Sequence, residues 1–305
     1  MLKIPTDRTH TLRNKLCAYC GVELSPKIRS LDHVVARKFV PEGTMVDSCN
    51  IGLRACKTCN GHKSRLEDDI SAISMMPGSD GKFARDDERL VRTYQRKAKG
   101  AISDATRKRV AQSHTKSKID MPFGGAQISM SFTGSPHIDD RRAAILAWSQ
   151  IQGLWFFQTY DEARGYGRYL SQDQFHFVGM VSRLDWGNAE MASFAKQIED
   201  WEYQTFACLA EGYFRAVVKG SPDSQTLAWA VEWNDAYRVF GYWGQGESWR
   251  THLDELAPLT ADHMVGDTTN GWAYRREIPL AEDSYDGLFA HPSDYDDDSP
   301  ADAAI

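Results

Sequence analysis

The N-terminal part of this chain contains the two motifs Cys17-Ala-Tyr-Cys20 and Cys56-Lys-Thr-Cys59. They supply four cysteines as two close pairs, separated by 35 residues. Thiolates paired at this spacing are typical of a closed tetrahedral zinc site. We therefore predict a structural zinc ion held by Cys17, Cys20, Cys56 and Cys59, and a helix that begins near Cys56.

The residues between and after the cysteine pairs are those that phosphodiester hydrolysis needs. Asp32 and Asn60 carry side-chain oxygens, the ligand type that Mg²⁺ prefers. His33 follows Asp32 directly, and an imidazole that titrates near neutral pH can take a proton from water. Positive charge for phosphates is supplied nearby by Arg37, Lys38, Lys63 and Arg65.

The order Cys-x-x-Cys, Asp-His, Asn, Cys-x-x-Cys-Asn-x-x-Lys resembles the His-Asn-His (HNH) endonucleases over about residues 10–75. The resemblance implies a ββα-metal fold with Asp-His on the first strand of a β-hairpin and the last Asn on the following helix. It also implies that His33 activates water and that Asp32 and Asn60 hold a catalytic Mg²⁺ or Mn²⁺. Asn50 would orient His33, and Lys63 would contact a phosphate.

Two positions depart from the family pattern. Many members have a Pro and a Gly-Gly pair after Asp-His, whereas residues 36–43 read Ala-Arg-Lys-Phe-Val-Pro-Glu-Gly. Asn60 stands where the family name implies a second His, as it does in many members. His62 either approaches the metal or lies on another face of the helix, since residues two apart on a helix point in different directions.

Charge is distributed unevenly along the 305 residues. Residues 1–120 hold 24 of the 36 basic and 14 of the 42 acidic side chains, a net charge of +10, and the remainder carries −16. Such an asymmetry favours a polyanionic partner for the first part, DNA or alternatively RNA. The alternative is that the net charges of the solvent-exposed surfaces in the two parts differ by chance.

Residues 79–120 are predicted to form a basic helical linker. Apolar residues recur at steps of three and four, which predicts an amphipathic helix over 82–112 with a basic outer face. We expect Arg92 and Arg96 on this face to lie along the phosphate backbone. A solvated helix that acts only as a spacer is the alternative.

Residues 121–280 are predicted to be a separate α+β domain that regulates, targets or oligomerises the N-terminal part. A helix is expected after Asp139, residues 189–212 are expected to be mainly helical, and alternating apolar residues from 214 to 243 predict a three-stranded antiparallel meander. Residues 281–305 carry eight acidic side chains and no basic one, which favours a disordered tail. Sheet packing and a ligand cage are the alternatives for Trp229, Trp233, Trp243 and Trp249.

The whole chain is thus predicted to be α+β, with an HNH domain at 1–78. No apolar run is long enough for a membrane span, and the start lacks the apolar core of a signal peptide, so we expect a cytoplasmic protein. Cys49 and Cys208 lie outside the two cysteine pairs and are expected to be ordinary thiols. The first functional hypothesis is a DNA endonuclease of a bacterial or phage defence or restriction system, with a protein partner or a second copy bound through residues 121–280. The second is a zinc-stabilised module that binds nucleic acid or a partner without turnover.

Overall fold

The computed structural model describes residues 2–3, 9–45, 50–123, 126–134, 136–258, 264–267, 272–275, 277–281 and 286–289. The chain folds as a mixed α+β protein with antiparallel sheets, as predicted. The described helices are α1 (Lys57–Ser74), α2 (Glu88–Gly100), α3 (Asp140–Gln158), α4 (Ala189–Gln197) and α5 (Ser248–Asp254). None of them combines the length and the apolar character needed to cross a bilayer.

The strands form four sheets. In chain order they are β1 (Leu2–Lys3), β2 (His10–Thr11), β3 (Arg29–His33), β4 (Ile51–Cys56), β5 (Thr115–Phe123), β6 (Ala126–Gly134), β7 (Phe175–Ser182), β8 (Glu202–Leu209), β9 (Phe214–Gly220), β10 (Thr226–Trp233), β11 (Tyr237–Gly244), β12 (Met264–Asp267) and β13 (Trp272–Arg275). The largest sheet has the order β1-β8-β9-β10-β11-β7, and a three-stranded sheet has the order β2-β4-β3. The pairs β5–β6 and β12–β13 form separate ribbons.

A β-β-α unit carries the motif residues. Strands β3 and β4 pair antiparallel, with Asp32 opposite Leu53. Strand β4 runs directly into α1 because Cys56 ends the strand and also caps the helix, its sulfur accepting a hydrogen bond from the amide of Cys59 at 3.4 Å. The predicted helix near Cys56 is therefore confirmed. Its apolar face is buried through Leu66, Ile70 and Ile73.

The predicted meander is also confirmed. Strands β9, β10 and β11 pair antiparallel in sequence at the centre of the large sheet. The turn between the last two uses Asn234 and Asp235, both with positive φ (53° and 56°), a conformation that Asn and Asp tolerate better than most residues. Trp229 and Trp233 are buried in this sheet, which decides for core packing at these two positions.

One hydrophobic core joins the two parts that the sequence analysis separates. Val34 and Leu53 of the β-β-α unit belong to the same buried cluster as Leu146 of α3 and Trp229 of the large sheet. Helix α3 approaches β3–β4 so closely that a Cβ at Gly153 would lie 2.9 Å from Val34. The parts predicted as separate domains at 1–78 and 121–280 therefore share a hydrophobic core, and the predicted domain boundaries stay a prediction. The breaker cluster at 121–125 falls where β5 ends and β6 begins.

Three boundaries differ from prediction. The segment 189–212 contains the α-helix α4, then β8, and ends in a 3₁₀ turn at Ala210–Gly212. Strand β8 forms because its residues pair with β9 on one side and β1 on the other. The linker 79–120 contains one 13-residue helix, α2, with loops, a 3₁₀ turn and the start of β5 after it. In the predicted tail, Leu288 and Phe289 are buried, whereas residues 282–285 and 290–305 lie outside the described residues.

Candidate metal centre and active site

The four predicted zinc ligands lie together. The sulfur atoms of Cys17, Cys20, Cys56 and Cys59 are all within 4.8 Å of one another. A tetrahedron with zinc–sulfur bonds of 2.3 Å has edges of about 3.8 Å, and the Cys20 and Cys56 sulfurs are 3.9 Å apart. The cluster can therefore hold a zinc ion, as predicted, with all four positions filled by protein.

Local backbone geometry prepares this cluster. Gly21 adopts a positive φ of 73° and donates its amide to the carbonyl of Cys17 at 3.0 Å, which closes the tight turn of the first pair. The Cys56 amide donates to the Cys17 sulfur at 3.3 Å. A hydrogen bond from Cys59 lowers the pKa of Cys17 to about 4, whereas that contact and burial raise the pKa of Cys59. Zinc binding would displace the thiol protons, because the thiolate is the ligand.

The zinc cluster is fastened to α3. The side-chain amide of Gln152 donates to the carbonyl of Ala18 at 2.9 Å, and its oxygen accepts from the amide of Leu170 at 2.6 Å. The hydroxyl of Tyr169 donates to the carbonyl of Cys17 at 2.9 Å. Residues far along the chain therefore fix the position of the first cysteine pair.

Asp32 and His33 end strand β3 in different environments. Asp32 is buried, while the imidazole of His33 is half-buried and forms no hydrogen bond within the described part of the chain. Burial and the nearby Arg37 lower the pKa of His33, and the carboxylate of Asp32 opposes them only in part. The neutral imidazole needed to accept a proton is therefore favoured at neutral pH.

Helix α1 covers this strand end with three side chains spaced three and four residues apart, which places them on one face. The amide nitrogen of Asn60 donates to the hydroxyl of Ser30 at 3.0 Å and to the carbonyl of Leu31 at 3.3 Å. Its oxygen has no partner among the described residues. Lys63 and Glu67 continue the same face toward Asp32.

Lys63 does not have the environment of a phosphate contact. Its side chain is 2% exposed, and its ammonium group donates to Glu67 and to the carbonyl of His33, both at 2.7 Å. It also lies 3.4 Å from an oxygen of Asp32. Burial pushes the pKa of Lys63 down, but the two carboxylates outweigh burial and raise it. This prediction is corrected, because a buried and paired ammonium cannot reach an external phosphate without moving.

Two residues of this site were missed in the sequence analysis. Tyr19, between the first two cysteines, donates its hydroxyl to the second oxygen of Asp32, and burial raises the pKa of this phenol well above its usual range. Glu67 is buried beside Lys63. The spacing of Lys63 and Glu67, four residues apart on a helix, is a signal that could have revealed the pair. No sequence signal distinguishes Tyr19 from an ordinary core residue.

The donor set near Asp32 fits a divalent cation with oxygen ligands. Asp32 offers carboxylate oxygens and Asn60 an unpartnered amide oxygen, and Mg²⁺ sites commonly complete such a pair with water and substrate phosphate. Two contacts compete with a cation for Asp32, because Lys63 lies 3.4 Å from one carboxylate oxygen and the hydroxyl of Tyr19 donates to the other.

Asn50 does not form the orienting contact that was expected of it. The residue precedes β4 and is buried, and its carbonyl accepts from the amide of His10 at 2.8 Å. Neither polar atom of its side chain has a partner among the described residues, and none of its bonds reaches His33. The contact that Asn50 makes is therefore a backbone bond between β2 and the start of β4.

The predicted basic residues differ in their availability. Arg37, Lys38, Arg65 and Arg92 are exposed, whereas Arg96 forms an ion pair with Glu42 at 2.6 Å. A cleft of about 920 Å³ lies between the residues after β3 and helix α2. It is lined by Arg37, Lys38 and Arg96, together with the partly buried Lys97. This cleft adjoins the candidate active site through Arg37.

The remaining alternatives at single residues are resolved by position. His62 is exposed and forms no hydrogen bond or ion pair within the described segments, which favours the other helix face. Trp249 stacks on His176 at 3.7 Å between ring centres, and Trp243 donates to the carbonyl of Ser171 at 3.1 Å. Each of these two rings therefore has a partner of its own within the fold.

Comparison of the chain with models of protein families, with curated proteins and with solved structures gives no match. The functional interpretation therefore depends on the geometry of the cysteine cluster and of the residues around Asp32.

Proposed function

We propose that this protein is a metal-dependent DNA endonuclease of the HNH type. The observation that carries the proposal is the double hydrogen bond from Asn60 to Ser30 and Leu31. It sets the free oxygen of Asn60 beside the strand that presents Asp32 and His33. Together with the β-β-α order and the four-cysteine cluster, this supports the expectations that the family resemblance raises.

In the proposed mechanism each residue has one task. Asp32 and Asn60 would hold the divalent cation, and the ion would supply positive charge next to the phosphate. His33 accepts a proton from the attacking water on a ring nitrogen. Burial and the nearby Arg37 lower the pKa of His33, which supports this role because it favours the unprotonated imidazole.

A binding module without turnover is the second candidate function. It is favoured by the buried ammonium of Lys63, which lies 3.4 Å from the Asp32 carboxylate where a cation would bind. If that contact is permanent, the zinc cluster and the basic cleft remain as a nucleic-acid-binding surface.

Nicking of supercoiled plasmid DNA distinguishes the two functions. We expect the purified chain to nick in Mg²⁺ or Mn²⁺ and to leave a 5′-phosphate, so that DNA ligase reseals the product without prior kinase treatment. DNA retention in a gel shift without nicking in either metal would instead favour the binding module.

The partner, by this proposal, is the phosphate backbone beside α2. Arg92 and Lys99 are exposed and have no ion pair within the described residues. Replacing both by alanine should reduce the slope of log affinity against log salt by up to about 0.9 for each lost contact on duplex DNA. Lys196→Ala on α4 removes an exposed charge elsewhere and is the control. An unchanged slope in the double variant would make α2 a spacer.

The role of residues 121–280 remains part of the proposal. Because α3 packs on β3–β4 and fastens the first cysteine pair, this part of the chain supports the candidate site as a scaffold. Control of the nuclease through it, within a bacterial or phage defence system in the cytoplasm, is the biological setting that we infer.

A further inference from the structure

A buried cluster of charges lies behind the candidate cation site. It consists of Asp32, Lys63 and Glu67, and their side chains are 7%, 2% and 8% exposed. Tyr19 closes the cluster by donating to Asp32 from the side of the cysteines. Two carboxylates and one ammonium are thus enclosed together, and the ammonium is the cation that compensates them both.

The contacts of the ammonium group are unequal. Lys63 lies 2.7 Å from a Glu67 oxygen and 2.7 Å from the carbonyl of His33, but 3.4 Å from Asp32. An ammonium has three donors, so the two short contacts already hold it in place. Lys63 can therefore lose its contact with Asp32 and still remain paired inside the protein.

This asymmetry matters because an uncompensated buried charge is strongly destabilising. If Asp32 binds a divalent cation, Lys63 must either leave the interior or pair with another anion. Glu67 is that anion, one helical turn further along α1 and already at the shorter distance. Glu67 can therefore remain paired with Lys63 after Lys63 loses its contact with Asp32.

We propose that Lys63 is the resident counter-cation of Asp32, that it yields this carboxylate to the divalent cation, and that Glu67 then compensates Lys63 alone. This inference rests on the proposed function, because it assigns the cation to Asp32 and Asn60. Lys63 competes with the cation and weakens its binding. Glu67 pairs with Lys63 and thereby strengthens cation binding at Asp32.

The two residues therefore have opposite effects on metal affinity. Lys63→Met removes the competitor and leaves two neighbouring carboxylates, so Mn²⁺ should bind about tenfold more tightly. Glu67→Gln keeps the competitor and removes its other anion, so Lys63 should hold Asp32 and Mn²⁺ should bind about tenfold more weakly. A residue that merely fills space would not produce changes of opposite sign.

The experiment is a calorimetric titration of Mn²⁺ into the full-length, zinc-saturated chain, with wild type, Lys63→Met, Glu67→Gln and the charge-preserving Lys63→Arg. Lys63→Arg should not tighten binding. Zinc content and thermal melting verify the fold of each variant. Because Glu67→Gln is nearly isosteric, it supplies the test on its own if Lys63→Met fails to fold.

The outcomes separate the inference from the proposed function. Opposite shifts in the two variants support the inference. Unchanged Mn²⁺ affinity in Glu67→Gln, or equal changes of one sign in both variants, overturn it, while plasmid nicking by wild type still supports the proposed function. A wild-type chain that neither binds Mn²⁺ nor nicks DNA overturns both.

Discussion

His33→Ala is expected to slow DNA cleavage by about 10²–10⁴-fold, the usual contribution of a general base. In the proposed mechanism, the substitution removes the ring nitrogen that would accept the proton of the attacking water. The imidazole is half-buried and makes no hydrogen bond in the described part of the chain, so the fold should lose little with it. DNA affinity and Mn²⁺ affinity should remain close to wild type, because neither depends on this ring.

His62→Ala is the matched control. It makes the same chemical change on α1, three residues after Cys59, at an exposed position. Single-turnover cleavage of an end-labelled duplex, with melting curves for both variants, gives the comparison. Cleavage by a well-folded His33→Ala chain at the wild-type rate would remove His33 from the role of base.

Cys56→Ser is expected to be the most destabilising of the changes considered. Cys56 ends β4, caps α1 and contributes one of the four sulfurs of the cluster. Structural zinc contributes folding free energy directly, about 10–16 kcal/mol in isolated zinc-finger peptides. The shared core retains part of the fold here, so we expect loss of zinc and a melting temperature lower by about 10 °C or more.

Cys208→Ser serves as the control for this change. Cys208 is a free, exposed thiol on β8, outside the cluster. Metal analysis should give one zinc per chain for wild type and for Cys208→Ser, and little for Cys56→Ser. A folded wild-type chain that cleaves DNA and contains no zinc would show that the cluster is not a zinc site.

Local patterns predicted local structure well. The Cys56 cap, the helix after Asp139 and the alternation from 214 to 243 each depend on neighbouring residues, and each element formed as expected. The cysteine cluster was predictable because ligand spacing reflects the geometry of the metal. In all these cases, the information lies within a short stretch of chain.

Long-range packing was not predictable in the same way. The shared core depends on the close approach of α3 to Val34 at Gly153, a contact between residues over a hundred positions apart. Strand β8 forms because two other strands pair with it, although the segment has helical character in its sequence. The sequence predicts Lys63 to be a surface cation, whereas in the structure it is buried and paired with Glu67 and Asp32.

The central claim is that the chain uses two metal ions. A structural zinc ion stabilises the fold, and a separate divalent cation is required for DNA cleavage. The most direct measurement is plasmid nicking by the zinc-saturated protein, first without added divalent metal and then after addition of Mg²⁺, with bound zinc counted at both stages. We predict no nicking before Mg²⁺ is added, nicking afterwards, and one zinc per chain throughout. Nicking at the full rate before Mg²⁺ is added, or none at either stage with zinc bound, would contradict the claim.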